Sequence, residues 1–162
     1  MSVAQEFLAE FDGEMPSTRK LLERVPSERG SWKPHPKSFS LGHLAQLVAR
    51  MPGWLVPMLR DTKLDIGAGA GYSLEKTEAL LAQFDGGVHE GHEALASTND
   101  RDLDVPWSLV HGSHVLFTMP RRIVVRQHLN HIVHHRGQLT VYLRLNDVPL
   151  PSIYGPTADA AW

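Results

Sequence analysis

The segment from Thr118 to Asn146 constrains the fold of this chain more than any other. Plotted at about 100° per residue, it carries apolar side chains over roughly half of a helix circumference. Val124, Val125, Ile132, Leu139 and Leu143 belong to that apolar arc. A helix apolar over so wide an arc needs more than one neighbour to bury it. Arg122, Arg126, Asn130, Arg136, Thr140 and Arg144 fall on the opposite arc and are expected to face water. Leu129 and Val133 interrupt that polar arc and are candidate contacts for a second copy of the chain, a homodimer. Thr118-Met119-Pro120 reads as the helix start, because proline is tolerated in a first turn.

Three further segments read as helices. The first runs from about Ser2 to Arg24, with a kink or break predicted at Gly13 and Pro16, and Pro26 stops it. The second is capped by Ser38 or Ser40 and runs through Leu41, Leu44, Leu47, Val48, Met51, Leu55 and Leu59. Pro52 and Pro57 should bend or interrupt it. The third is capped by Ser73 and weakened by Gly86, Gly87 and Gly91. The glycine-rich stretch from Ile66 to Gly71 lacks the ending of a phosphate loop and reads as a connection. Leu103 to Phe117 reads as irregular, with a short extended turn around Trp107 and His111-Gly112-Ser113-His114. With no clear strand pattern, the expectation is all-α: one domain over residues 1–162, folded as an antiparallel four-helix bundle.

Composition narrows the function classes. The net charge of -2 gives no basic footprint, so no nucleic-acid partner is expected. The chain has no cysteine, which removes disulfides, thiolate ligands and a protein-borne thiol nucleophile and fits a cytoplasmic location. No apolar run approaches about 20 residues, so no membrane span is expected.

The ten histidines are the compositional oddity. His131 and His135 are four apart, hence one turn apart on a single helix face. Val124, Gln138 and Tyr142 share that face within about 40°, so both imidazoles are expected to point into the bundle, with His128 one turn earlier on the same broad face. Buried imidazoles need partners, because a buried polar group without one costs about 1–3 kcal/mol. A divalent metal would satisfy both rings if another helix supplied a third ligand. Alternatively, each ring bonds to a neighbouring helix or to buried water. His43 is the histidine on the second helix, at the margin of its core face, and reads equally as a third ligand or as a surface residue of the first turn.

Trp32-Lys33-Pro34-His35-Pro36-Lys37, Ser40-Leu41-Gly42, Pro52-Gly53-Trp54, Asn130-His131, His135-Arg136-Gly137-Gln138, Val141-Tyr142-Leu143-Arg144 and Tyr154-Gly155-Pro156 together resemble the DinB/YfiT-like family of bacterial four-helix-bundle proteins. The resemblance spans essentially the whole chain. It implies an up-down-down-up bundle, often dimeric, with a divalent zinc or nickel ion held by three histidines. Two of these map onto His131 and His135. The third usually sits where this chain has Leu47, so either His43 is a displaced ligand or the site is degenerate. The resemblance further implies a metal-dependent transferase or isomerase using a low-molecular-weight thiol, or a hydrolase, acting on a small molecule. Two other readings stand beside it: a non-enzymatic, stress-associated protein binding a small ligand, and a structural dimer whose histidines are core residues.

Overall fold

The computed structural model describes residues 1–69 and 71–161; Ala70, within the glycine-rich connection, lies outside the described residues, as does Trp162. Helix α1 (Val3–Leu22) opens on Ser2, whose Oγ accepts the Gln5 amide while the Gln5 side chain accepts the Ser2 amide. This reciprocal cap satisfies two backbone donors that a helix start leaves orphaned. The helix runs unbroken through Pro16, where the sequence predicts a kink or break, and buries Phe7, Phe11, Met15, Leu21 and Leu22. Helix α2 (Leu41–Arg50) starts at Ser40, whose Oγ accepts the His43 amide at 3.2 Å. Pro52 then interrupts it as expected: Met51–Trp54 tighten into a 3-10 turn, and α3 (Leu55–Arg60) resumes.

Helix α4 (Thr77–Ala96) begins after Lys76, not at Ser73. Ser73 instead exchanges hydrogen bonds with the Gln46 side chain, at 2.8 and 3.1 Å, and ties the preceding segment to α2. The glycines that weaken α4 by propensity let it pack. A Cβ on Gly87 would lie 2.9 Å from the Gly53 amide nitrogen, and one on Gly91 would lie 2.8 Å from the Pro52 carbonyl oxygen. Backbone meets backbone there, and only glycine admits that approach.

The expectation of an all-helical chain is corrected by a three-stranded sheet. Strand β1 (Lys63–Asp65) pairs parallel with β2 (Pro106–His111), which pairs antiparallel with β3 (His114–Pro120). The segment expected to be irregular is therefore a hairpin. Its two-residue turn holds Gly112 at φ +58°, a conformation glycine adopts without strain, and the Gly112 amide donates to Asp65 Oδ1. Strand alternation is hard to see because β3 leaves Val115 and Leu116 exposed and the ladder slips at Leu109/Val110. Trp107 anchors the sheet to the helices: it is buried, and its Nε1–H donates to the Pro57 carbonyl at 3.0 Å.

Helix α5 (Arg121–Arg144) begins at Arg121, not Thr118. Thr118 and Met119 pair with Ser108 and Trp107 in the sheet, and Pro120 keeps an extended ψ of 141° as the cap. Two residues placed on the polar arc are inside the protein. Leu129, expected as a dimer contact, is 2% exposed and belongs to the chain's own core. Arg136, expected to face water, is buried against α1, where it pairs with the Glu14 carboxylate at 2.6 Å and donates to Ser17 and Thr18. A helical wheel scores arginine as polar and cannot see that α1 supplies the acceptors. Helices α1 and α2 each pack against both α4 and α5, and α3 packs against α4 and α5. The molecule is thus mostly helical with a small sheet attached. None of its described helices is long and apolar enough to cross a membrane.

Candidate functional site

Between the sheet and α3/α5 lies a cavity of about 420 Å³. Trp54 and Met58 wall it on the helical side, Leu109 and Phe117 on the sheet side, with Trp107 and Val124 between them. Gln127, His128 and His131 supply its polar edge from consecutive turns of α5, and no lining side chain carries a formal charge. The sheet that the residue pattern did not reveal is therefore one wall of the site.

Three of the four imidazoles of α5, those of His128, His131 and His135, differ in surroundings. His128 is 4% exposed, and its Nε2 lies 2.8 Å from the Met51 carbonyl oxygen. A carbonyl only accepts, so Nε2 carries the proton and Nδ1 the lone pair. Burial, more than anything else, pushes the His128 pKa down to about 4, so the ring is neutral near pH 7. The interruption of α2 at Pro52 presents that carbonyl: Met51 starts the 3-10 turn. His128 was legible only as a face-mate of His131, yet it is the most deeply buried imidazole of the cavity.

His131 and His135 meet as the spacing predicts, with Nε2 to Nε2 2.8 Å. Their burial differs from the expectation. His135 is buried, but His131 is exposed and borders the cavity. On the far side of His135, Nδ1 lies 2.8 Å from Gln138 Oε1, three residues on. That oxygen accepts, so His135 bears its proton on Nδ1 and a lone pair on Nε2. His131 must then donate Nε2–H to His135 and hold its own lone pair on Nδ1. Burial lowers the pKa of both rings, and the neighbouring imidazoles add to the effect; the Gln138 bond opposes it at His135. The pair is a directed hydrogen-bond chain, Gln138 ← His135 ← His131.

His43 is not brought to this pair. Its ring is stacked between Phe39 and Tyr72, with centroids at 4.2 and 4.7 Å, beside a separate small cavity that Leu47 also lines. Burial, then Arg50 and Lys33, lowers its pKa. Among the described residues, no three His, Cys, Asp or Glu side chains stand close enough to hold one ion. The three-histidine set implied by the resemblance does not assemble. Two imidazole nitrogens on a tetrahedral ion would be separated by about 3.3 Å, given metal–nitrogen bonds of about 2.0–2.1 Å. The observed 2.8 Å is a hydrogen bond.

The fold agrees with comparison to known proteins. The DinB family profile matches residues 1–161, and the chain belongs to the DinB family. A crystal structure of a DinB-like protein from Bacillus cereus is similar at a TM-score of 0.71 and 24% identity, covering 93% of this chain and 97% of that one. A DinB-like protein from Bacillus subtilis is similar at a TM-score of 0.68 and 17% identity, covering 88% and 92%. At these identities the solved structures speak for the fold alone. No curated protein matches the chain.

Proposed function

We propose that this DinB-family chain binds a small, largely apolar molecule in the cavity between its helices and its sheet. The observation that carries this reading is the cavity itself: about 420 Å³, walled by aromatic and aliphatic side chains, with a few polar groups on one edge. Binding sites for small molecules share that composition, in which apolar walls supply the driving force and a few polar atoms fix orientation. Titration with naphthalene, followed by calorimetry or by the fluorescence of Trp54 and Trp107, tests it. Saturable one-site binding is expected in the parent. Leu109→Trp and Leu64→Trp, which fill the cavity from the sheet side, should abolish it while leaving the helical circular dichroism intact. No binding in the parent, or equal binding in both filled variants, overturns the reading.

A second reading is favoured by one observation, the convergence of the His131 and His135 nitrogens with Gln138 behind His135. A metal-ligating imidazole donates its other N–H to an acceptor oxygen, and Gln138 Oε1 supplies one to His135. In this reading a divalent zinc or nickel ion replaces the shared proton and takes its remaining ligands from solvent or from a bound small molecule. Native mass spectrometry of untagged protein, reconstituted with excess zinc or nickel and desalted, tests it. One retained ion that His131→Ala loses supports the reading, and no retained ion refutes it.

A further inference from the structure

The same cavity also specifies the chemistry of its ligand, a step that rests on the binding role proposed above. We infer that the cavity selects an uncharged aromatic or aliphatic molecule that brings its own hydrogen-bond donor, such as a hydroxyl, because the imidazoles lining it offer acceptors and no free donors.

His128 supplies the first acceptor. Its single ring proton is committed to the Met51 carbonyl. Its Nδ1 has no hydrogen-bond partner among the described residues. The atom is not sealed off either: the unpartnered side-chain nitrogens without accessible surface are Arg121 Nε and Arg122 Nε among the described residues. The ring is 4% exposed and borders the cavity, so the acceptor it can offer a ligand there is Nδ1. In an apolar pocket such an acceptor is satisfied by water or by a ligand donor, and a ligand that displaces the water without donating forfeits the bond.

His131 gives the same answer by an independent route. Gln138 fixes the His135 proton on Nδ1, which makes His135 Nε2 the acceptor of the His131 proton. The nitrogen left over on His131 is again an acceptor. Trp107 adds nothing to the donor side, since its Nε1–H is spent on Pro57, and the carboxamide of Gln127, exposed at the edge, is able to donate and accept alike. The lining holds no arginine or lysine, so a carboxylate or phosphate entering the cavity would lose its hydration and meet no opposite charge. The hydrogen bonds around the site therefore set a polarity that volume and hydropathy alone do not reveal. A ligand of the wrong polarity leaves the buried His128 lone pair unpaired, and a charged one adds a desolvation cost.

Four matched probes test the inference: naphthalene, naphthol, methoxynaphthalene and naphthoate, titrated calorimetrically against the full chain at neutral pH. They share one aromatic body and differ in the polar group. Naphthol should bind about tenfold tighter than naphthalene or methoxynaphthalene, the gain expected of one net hydrogen bond. Naphthoate should bind weakest. His128→Phe and His131→Phe keep a flat ring and remove an acceptor. At least one of them should bring naphthol to the affinity of naphthalene while naphthalene itself still binds. Equal binding of naphthol and naphthalene to the parent overturns the donor inference and leaves the cavity reading standing. Preferential binding of naphthoate also overturns it. If no probe binds, the cavity reading fails and this inference with it. The parent comparison decides the matter even if a variant does not fold.

Discussion

Acidifying the protein from pH 7 to about pH 5 should destabilise it through His128. The folded ring has a pKa of about 4 against an ordinary value of 6.5. The unfolded chain therefore binds a proton between those values that the folded chain refuses. Stability from this group is complete above pH 6.5 and falls as the pH drops toward about 4, where the folded ring begins to protonate. At pH 5 the unfolded imidazole is mostly protonated and the folded one mostly neutral, which amounts to about 2 kcal/mol lost relative to pH 7. The ring is almost wholly buried, so solvent screening does little to reduce that figure. Other histidines contribute as well. His131, His135 and His43 are lowered and push the same way, whereas His92, raised by Asp12, pushes the other. A difference between variants removes those contributions. Urea unfolding of the parent and of His128→Gln, whose amide can still donate to the Met51 carbonyl, should show the parent losing about 2 kcal/mol more over this interval. Equal losses in the two proteins would refute the role given to His128, as would folded-state titration of its ring carbons near pH 6.5 by NMR.

Further outcomes depend on the packing. Arg136→Ala should cost about 3–5 kcal/mol in urea unfolding, because it removes the cation paired with Glu14, leaving that carboxylate only the Tyr154 hydroxyl, and opens a buried gap beside Ser17 and Thr18. Gly91→Ala should lower the melting temperature, since its Cβ would meet the Pro52 carbonyl at 2.8 Å. Gly86→Ala has open space around it and should raise stability by about 0.5–1 kcal/mol in the same assay. Gln138→Leu removes the acceptor that orients His135 and should weaken naphthol binding without weakening naphthalene binding.

The helices were legible because their signals are local. Ser2 and Ser40 cap where a hydroxyl should cap, Pro52 interrupts where proline must, and the wide apolar arc of α5 does find several neighbours. The sheet was not legible because its register depends on distant partners: β1 pairs with β2 across the whole of α4. Without that sheet the cavity could not be foreseen, since Leu109 and Phe117 read as parts of an irregular loop. The same limit explains Ser73, which looks like a cap and is a strap, and Arg136, whose acceptors lie on α1. The meeting of His131 and His135 was visible from i, i+4 spacing alone, and Gln138 at three residues further could have been added by the same rule. The fate of His43 turned on Phe39 and Tyr72 closing around its ring, which no spacing encodes.

Whether the cavity between sheet and helices is the place where this protein meets its ligand is tested most directly by methyl NMR of the parent during a naphthol titration. Saturable shifts are expected at the methyls of Met58, Leu64, Leu109 and Val124, which line the cavity, and none at Met15 or Leu21, which lie in the α1 core. Shifts centred elsewhere, or no shifts at saturating probe, would contradict a ligand site in this cavity.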